Sequence, residues 1–563
     1  MTQRRTVLGQ LATMGVLGLP GVTPDAVATS AHPDGVRAAA SKGPARPSQT
    51  ADPIVEIDSG RVRGQRSEEG LAFLGIPYAG KDNSDGKYRF LPPTTVQPWA
   101  GVRESGYYGP ICPQENVAEK VRFFTAGGYN GTIPDHPQPL DEQCLELNVW
   151  TSGLDSAAKR PVMVWLHGGS FIGGSANATW YSGARLASRG DVVVVGINHR
   201  VGALGFLYLG ELFGKEFETS GLTGMLDIVA ALKWIQRNID KFGGDPGRVM
   251  IFGESGGGMK VSTLLAMPGA AGLFHRAAIQ SGAAVRGQTR EDASRVTALF
   301  LEQLGMTRAS ASIDALQTLP IDQMIAAQQR LVKRVRSGSL PGISLEFRPV
   351  LEEIHLPTHP FDPAAPPISS HVPIMIGTNE MDGSWGMWRD PDWDVMTEQR
   401  LLERLTNELG EKGRAAIDLY RELHPKDSPI ERYIRIRSRP TLSIQLAERK
   451  ADLGAAPCFM YLFAWDTPQY AGRVRSPHML DVPFVFNNVH HTPEFTGSGT
   501  EVNALAAAMS TAWVSFARDG VPSSPHWPRW PAYERGSRNT MRIDNKSQPV
   551  SDPDGPAREF WAK

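Results

Sequence analysis

The feature that most restricts the fold is the motif Gly-Glu-Ser-Gly-Gly at residues 253–257, which has the Gly-x-Ser-x-Gly form. The apolar run before it, residues 248–252, is typical of a buried parallel strand, and residues 259–267 after it are compatible with a helix that ends at Pro268. A serine on such a sharp turn has its hydroxyl pushed out of the sheet, and the close packing around it tolerates only glycine. Because the chain contains 58 glycines, so short a motif also arises by chance. A catalytic interpretation therefore requires a base, an acid and an oxyanion hole elsewhere in the chain.

Composition indicates a globular protein. The chain has 563 residues, of which 41% are hydrophobic and 21% charged, so it is long enough to bury a large core. A net charge of -1 gives no electrostatic reason to expect nucleic acid or an anionic membrane surface as a partner. No cluster of cysteine, histidine or carboxylate residues in the sequence suggests a metal ligand set, and we expect no cofactor.

The amino terminus has the pattern of an export signal. Arg4 and Arg5 precede an apolar segment, residues 7–19, that is too short and glycine-rich to span a bilayer. The pattern predicts a twin-arginine signal peptide at residues 1–28, cleaved after Ala28 or, as a second possibility, near Ala31. Residues 29–52 are rich in alanine, proline and serine and read as a disordered linker, so residues 53–563 form the folded domain. We expect a periplasmic or extracellular protein with no stable membrane insertion.

Strand and helix patterns alternate along the folded part. Residues 191–197 form a nearly continuous β-branched run, which is typical of a strand covered on both faces. Further strands are predicted at residues 145–150, 161–166, 276–281, 372–377 and 459–465, with a hairpin near residue 60 and a helix at 225–238. The alternation predicts an α/β fold with a mainly parallel sheet and helices on both faces. Charged, helix-periodic segments at 291–337 and 398–449 read as insertions that build walls over a site.

Two later loops offer an acid and a base. A nucleophilic serine needs a base to take its proton and an acid to orient that base, and in chains with this turn the order is serine, acid, histidine. The loop after the strand at 372–377 offers both Glu380 and Asp382. The loop after the strand at 459–465 carries His478 as its first histidine. The pattern leaves the choice between Glu380 and Asp382 open.

A glycine-rich loop follows the strand at 161–166. It reads His-Gly-Gly-Ser-Phe at residues 167–171, and its small residues allow backbone N–H groups to face a developing negative charge. Loops of this type pair with the serine turn in hydrolases. Each segment by itself is also compatible with a simple turn, but all four in this order favour catalysis.

These segments carry a resemblance to a known family. From about Pro53 to Trp561 the chain resembles the type-B carboxylesterases, which are cholinesterase-like α/β-hydrolases, and especially their bacterial para-nitrobenzyl-esterase-like members. The segments that carry the resemblance are residues 73–78, 141–149, 167–171, 238–246, 252–257, 280–282, 478–486 and 513–518.

The resemblance implies specific roles for the site residues. It implies a Ser-His-Asp triad of Ser255 as nucleophile, His478 as base and Asp382 as acid, because the family acid stands directly before the position of Gly383. It places the oxyanion N–H donors at Gly169, Ser170 and Gly256.

The resemblance also implies supporting positions. Glu254 and Ser281 match residues that hydrogen-bond around the acid and the base, although loop packing alone would also explain them. Three cysteines fit an exported protein with one disulfide, and a bridge between Cys112 and Cys144 matches the first disulfide of the family. Cys458 is expected to be an inert core thiol.

The positions of four more side chains, one histidine and three aromatic residues, are also predicted. His199 is expected to be a packed or hydrogen-bonded histidine and not a second base. Trp385, Trp388 and Phe347 are candidates for pocket walls, although aromatic residues on such loops are as often part of the core.

The function expected from the residues and the resemblance together is an exported serine carboxylic-ester hydrolase. It would act on a small-molecule ester through an acyl-enzyme intermediate. The alternatives are a carbamate or amide hydrolase that uses the same triad and a non-catalytic, cholinesterase-like binding protein.

Overall fold

Buried apolar runs build a central sheet of eleven strands, and a separate sheet of three strands lies near the amino-terminal end of the fold. The structure is a computed structural model, and it describes residues 52–80, 86–115, 138–336, 347–387 and 390–563. The strands are β1 (Ile54–Ile57), β2 (Gly60–Arg63), β3 (Gln65–Ser67), β4 (Gly70–Pro77), β5 (Val102–Glu104), β6 (Glu146–Thr151), β7 (Arg160–Leu166), β8 (Val193–Ile197), β9 (Gly244–Glu254), β10 (Arg276–Gln280), β11 (Ile374–Asn379), β12 (Cys458–Phe463), β13 (Asn539–Ile543) and β14 (Gln548–Ser551).

The middle of the large sheet is parallel. Its strand order is β14-β13-β12-β11-β10-β9-β7-β8-β6-β4-β3. Every neighbouring pair from β13 to β8 is parallel, whereas β14 at one end and β6, β4 and β3 at the other pair antiparallel. The predicted mainly parallel sheet is therefore confirmed. Because parallel strands present their carboxyl ends at one edge, the loops after β7, β9, β11 and β12 meet there.

Helices connect the strands. They are α1 (Ala184–Gly190), α2 (Gly202–Phe206), α3 (Gly210–Phe213), α4 (Thr223–Asn238), α5 (Gly256–Leu264), α6 (Arg290–Gln303), α7 (Ile313–Gln317), α8 (Ile321–Arg336), α9 (Ser384–Met387), α10 (Glu398–Leu409), α11 (Lys412–Leu423), α12 (Pro429–Arg437), α13 (Thr441–Leu453), α14 (Asp481–Val485), α15 (Pro493–Thr496), α16 (Thr500–Asp519) and α17 (Gly555–Ala562).

Both faces of the sheet are covered. Along β7 the side chains alternate between two hydrophobic cores, because successive residues of a strand point to opposite faces. Val164 packs in the same core as Trp234 of α4. Trp165 packs in the other core with Trp513 of α16. This two-sided burial explains why the central strands are apolar throughout and not alternating.

The predicted helical insertions are present. In the first insertion α6, α7 and α8 lie between Arg290 and Arg336, and in the second α10 to α13 lie between Glu398 and Leu453. The second insertion has a core of its own, in which Leu401, Ile417 and Ile434 pack together with Met381. Met381 lies in the loop after β11, so this insertion packs directly against the loop that carries the candidate acid.

Residues Asp52–Lys563 form one compact unit. Among the residues that the structure describes, no helix is long and apolar enough to cross a membrane. The predicted signal peptide, residues 1–28, and all but the last residue of the predicted linker lie outside the described part of the chain, as does Trp388.

Candidate active site

Ser255 occupies a strained turn between β9 and α5. Its backbone angles are φ 56° and ψ -122°, a region that residues other than glycine rarely adopt. The turn is held on both sides, because the N–H of Ser255 donates to the carbonyl of Gln280 (2.8 Å) and its carbonyl accepts from the N–H of Met259 (3.0 Å). A Cβ atom on Gly257 would overlap the carbonyl of Leu166 at the end of β7. The strain and the close approach together explain the glycines of the motif and place the serine at the carboxyl edge of the sheet.

Asp382 and His478 meet at the same edge. Nδ1 of His478 lies 3.1 Å from Oδ1 of Asp382. The backbone N–H of His478 also donates to the carbonyl of Asp382 (3.1 Å), which ties the two loops together. The hydroxyl of Ser281 donates to the same Oδ1 atom (2.9 Å). Because a carboxylate accepts hydrogen bonds, Asp382 favours a proton on Nδ1 of His478.

Glu380, the other acid offered by the loop, faces away from the histidine. Its carboxylate oxygens lie 3.6 Å from Arg435 on α12 and 3.5 Å from Arg542 on β13. The loop therefore directs Asp382 to His478 and Glu380 to an ion-pair network. Of the two candidate acids, Asp382 is thus the one in contact with His478, and its role as the acid stays a prediction.

Glu254 lies on the opposite side of the imidazole. Its Oε1 atom is 3.1 Å from Nε2 of His478, and its side chain is only 1% exposed, compared with 26% for the side chain of His478. Burial raises the pKa of Glu254. Burial alone lowers the pKa of His478, but the charges of Glu254 and Asp382 raise it well above its usual range. The imidazolium form of His478 is thus stabilised by a carboxylate at each ring nitrogen.

The loop after β7 is shaped by two residues with positive φ, Gly169 (90°) and Ser170 (54°). The carbonyl of Gly168 lies 2.9 Å from Nδ1 of the His167 ring. The carbonyl of Gly169 accepts from the N–H groups of Ile172 (3.3 Å) and Gly173 (3.2 Å). The carbonyl of Gly168 shares a peptide bond with the N–H of Gly169, and the carbonyl of Gly169 shares one with the N–H of Ser170. In a trans peptide the C=O and N–H point in opposite directions, so the N–H groups of Gly169 and Ser170 point away from the donors that these two carbonyls contact.

Gly256 brings the third candidate donor next to the other two. A Cβ atom on Gly256 would overlap the backbone of Ser170, so the two backbones are in direct contact. As the first residue of α5, Gly256 is one of the residues whose N–H has no partner within the helix. The three candidate donors thus lie together beside Ser255.

A buried network beside the His478 loop was not predicted from the sequence. The carboxyl of Asp481 is fully buried, and its Oδ2 atom accepts from Gln280 (2.8 Å) and from the hydroxyl of Tyr461 (2.9 Å). Burial raises the pKa of Asp481. Gln280 also holds the Ser255 turn through its carbonyl, so this network joins the loop of His478 to the turn of Ser255. A sequence signal did exist, because Asp481 follows His478 by three residues.

His199 is a packed histidine, as predicted. Its ring stacks on that of His167 with a centroid separation of 4.6 Å and an interplanar angle of 7°. Its Nδ1 atom lies 2.8 Å from the carbonyl of Arg200. Burial, followed by the nearby charge of Lys260, holds the pKa of His199 far below its usual range, so the ring is neutral.

The two described candidates for pocket walls pack within the protein. Phe347 is buried in the core with an edge-on contact to Phe300 (6.2 Å between centroids). Trp385 makes similar contacts with Tyr470 (5.6 Å) and Phe495 (5.2 Å). Both support the core reading of these side chains.

The expected bridge between Cys112 and Cys144 is wrong for this structure. Both residues are buried free thiols, and so is Cys458. The sulfur of Cys112 accepts a hydrogen bond from the N–H of Val201 (3.4 Å). The pKa of the Cys144 thiol is raised by its hydrogen bond with Cys112 and by burial. The two thiols are neighbours joined by a hydrogen bond, and the count and spacing of cysteines cannot distinguish that state from a covalent bridge.

Within the described ranges, no group of three or more histidine, cysteine, aspartate or glutamate side chains is arranged to hold a metal ion.

Comparison with known proteins places the chain in a family. The model of the carboxylesterase family matches residues 51–561. The para-nitrobenzyl esterase of Bacillus subtilis is 33% identical and the alignment covers 90% of this chain and 98% of that protein. The phenmedipham hydrolase of Pseudarthrobacter oxydans is 31% identical, with 89% and 96% covered.

Solved structures agree with this assignment. A carboxylesterase of Geobacillus stearothermophilus superposes with a TM-score of 0.76 at 34% identity, covering 90% of this chain and 99% of the other. With the parallel sheet and its flanking helices, this similarity establishes the α/β-hydrolase fold. The chain belongs to the carboxylesterase family and is a carboxylic ester hydrolase.

Proposed function

We propose that the protein is an exported serine carboxylesterase that uses Ser255, His478 and Asp382 as its triad and passes through an acyl-enzyme. The observation that carries the proposal is the 3.1 Å contact between Nδ1 of His478 and Oδ1 of Asp382, at the sheet edge where the strained Ser255 turn also ends. Acyl transfer requires a histidine oriented by a carboxylate and a serine at the same edge of the sheet, and here that serine is half-buried.

In the proposed acylation step the three triad residues act in turn. Nε2 of His478 takes the proton of Ser255 as the hydroxyl oxygen attacks the ester carbonyl carbon. Asp382 holds the Nδ1 proton and stabilises the imidazolium, while the N–H groups of Gly169, Ser170 and Gly256 bind the oxyanion. When the tetrahedral intermediate collapses, His478 returns its proton to the leaving alcohol.

Deacylation uses the same groups in reverse roles. Water attacks the acyl carbonyl while Nε2 of His478 takes its proton, and the acid product leaves as Ser255 regains its hydrogen. Glu254 and Ser281 support the triad: the Glu254 carboxylate stabilises the imidazolium, and the Ser281 hydroxyl donates to the same oxygen of Asp382 that faces the base.

Replacement of the nucleophile tests the proposal. Ser255→Ala should leave the fold and the melting temperature nearly unchanged and lose the hydrolysis of para-nitrophenyl acetate by several orders of magnitude. Ser262→Ala is the matched control, since this buried serine of α5 bonds to the carbonyl of Gly258 (2.9 Å) and the N–H of Ala284 (3.2 Å) and should retain turnover. Full activity of Ser255→Ala would remove Ser255 from the mechanism.

A second substrate class has a specific observation in its favour. The relative from Pseudarthrobacter oxydans is named for the hydrolysis of phenmedipham. The alternative of carbamate or amide hydrolysis on the same triad is therefore tested with a panel of para-nitrobenzyl esters, para-nitrophenyl esters of increasing acyl length, and phenmedipham. A higher kcat/KM for the esters supports the proposed ester specificity, and a higher value for phenmedipham supports the alternative.

A further inference from the structure

Lys260 is a charged residue that the proposed mechanism does not use. It lies on α5, five residues after Ser255, and its side chain is fully buried. Lysine is almost never completely buried unless a specific partner compensates its charge. Here the partner is a backbone carbonyl, because Nζ of Lys260 donates to the carbonyl oxygen of His167 at 2.8 Å. The ring of Phe171 lies 5.8 Å from the same nitrogen and adds a weak cation–π contact.

The carbonyl that Lys260 holds begins the oxyanion loop. Three successive peptide carbonyls enter that loop, and each one has a donor. The carbonyl of Gly168 has the ring of His167, and that of Gly169 has the N–H groups of Ile172 and Gly173. Those donors belong to the same stretch of chain, residues 167–173. The carbonyl of His167 instead accepts from Lys260, which lies on α5, the helix that starts directly after Ser255.

This contact fixes the distance between two halves of the site. The loop at residues 167–171 supplies two of the three oxyanion donors, and α5 follows directly from Ser255. The Gly256 and Ser170 backbones touch, so a shift of the loop relative to the helix would change where the N–H groups lie with respect to the serine oxygen. Misplacement by about 1 Å is enough to reduce a rate substantially.

We propose that Lys260 is a positioning residue of the esterase reaction, which anchors the oxyanion loop to the nucleophile helix through the carbonyl of His167. The inference rests on the proposed function, because it assigns a support to the oxyanion donors named there. Lys260 acts through the backbone and does not touch the substrate.

The protein contains a matched control. Lys450 on α13 is also buried, with 1% exposure, and its Nζ donates to the carbonyls of Ser369 (3.1 Å) and Ser370 (2.7 Å). Burial lowers the pKa of both lysines, to about 7 for Lys260 and about 8 for Lys450. The carbonyls held by Lys450 precede β11, at the edge of the sheet opposite the site.

The test compares Lys260→Met with Lys450→Met in the full-length protein. We measure kcat and KM for para-nitrophenyl acetate, the inhibition constant of an aryl trifluoromethyl ketone, and the melting temperature. The ketone forms a tetrahedral adduct whose oxygen needs the same donors as the transition state. Lys260→Met should lower kcat about 10- to 100-fold and leave KM within about threefold. It should raise the inhibition constant of the ketone by the same factor by which kcat falls. Lys450→Met should lower the melting temperature and keep kcat and the ketone affinity.

The proposal is overturned if Lys260→Met is folded and keeps both kcat and ketone affinity, or if Lys450→Met loses both equally. If Lys260→Met does not fold, Lys260→Gln carries the same test, because its amide is uncharged and too short to reach the carbonyl of His167. Ser255→Ala is measured in parallel. If Ser255→Ala is active, the proposed function is refuted. If Ser255→Ala is inactive and the Lys260 variant is fully active, only the role of Lys260 is refuted.

Discussion

At Asp382, two donors converge on one carboxylate oxygen. Nδ1 of His478 and the hydroxyl of Ser281 both contact Oδ1. Neutralising this carboxylate would remove the acceptor that keeps the ring proton on Nδ1, and Nε2 could then no longer serve as the base.

Asp382→Asn should therefore lower kcat by about 10³- to 10⁴-fold with little change in folding. Glu380→Gln is the control, because Glu380 bonds to Arg435 and Arg542 instead. It should lower the melting temperature and retain turnover. Stopped-flow or steady-state assays with para-nitrophenyl acetate distinguish the two, and the reverse pattern would make Glu380 the acid.

Glu254 supports a prediction about pH. Its carboxylate lies against Nε2 of His478 and is the first of the neighbouring charges that raise the pKa of the imidazole. The base works only when it is unprotonated. Removing the charge with Glu254→Gln lowers the pKa of His478, so the acidic limb of the kcat/KM profile should move to lower pH, by about one unit. An unchanged limb would show that Glu254 does not act on the base.

Residues that follow the end of a strand could be located from the sequence. Contacts that depend on the direction of a side chain could not. Ser255, Asp382 and His478 each follow a recognisable strand, so their meeting at one edge was predictable. The family resemblance implied the supporting positions of Glu254 and Ser281, whereas the buried Asp481–Gln280–Tyr461 network joins residues far apart in the chain through particular rotamers. No pattern of spacing encodes those rotamers.

At the level of elements, the site depends on how closely α5 approaches the end of β7. The predicted strand before the serine covered residues 248–252, whereas β9 runs over Gly244–Glu254. The predicted helix began at residue 259, whereas α5 begins at Gly256, directly after the serine. The glycines at residues 256–258 are typical of a turn, but here they form the first turn of α5, and their small size allows the helix to pack closely against the sheet.

Gly257→Ala tests that packing. The added methyl group overlaps the carbonyl of Leu166, so the variant should lose about 1–3 kcal/mol of unfolding free energy and much of its activity. Gly269→Ala is the control, since its added methyl group would meet nothing closer than Val229 at 4.0 Å. Urea unfolding compares the two. Equal stabilities for both variants would contradict the close approach described here.

At the level of the whole molecule, the mainly parallel sheet and the two helical insertions followed from the alternating pattern of the sequence. The state of the cysteines did not follow from the sequence. A bridge was expected, whereas Cys112 and Cys144 are neighbouring free thiols in the structure. Whether two thiols join covalently depends on sulfur geometry and oxidation, which neither the count nor the spacing of cysteines specifies.

The proposal of export makes its own prediction. Replacing Arg4 and Arg5 by lysine should retain the full-length precursor inside the cell, because the twin-arginine pattern is read by its receptor and not by charge alone. Arg61→Lys and Arg63→Lys together, in β2 of the folded domain, form the control and should be exported. Immunoblots of cell and extracellular or periplasmic fractions measure the distribution, and normal export of the Arg4 and Arg5 variant would contradict the proposal.

The central claim is that Ser255 is the nucleophile, and covalent labelling tests it most directly. A fluorophosphonate probe should add one phosphonyl group per chain, mapped by peptide mass spectrometry to Ser255, with esterase activity falling in proportion to the labelled fraction. The Ser255→Ala protein should remain unlabelled. Labelling at a different residue, or full hydrolysis by protein whose Ser255 is completely modified, would contradict the account.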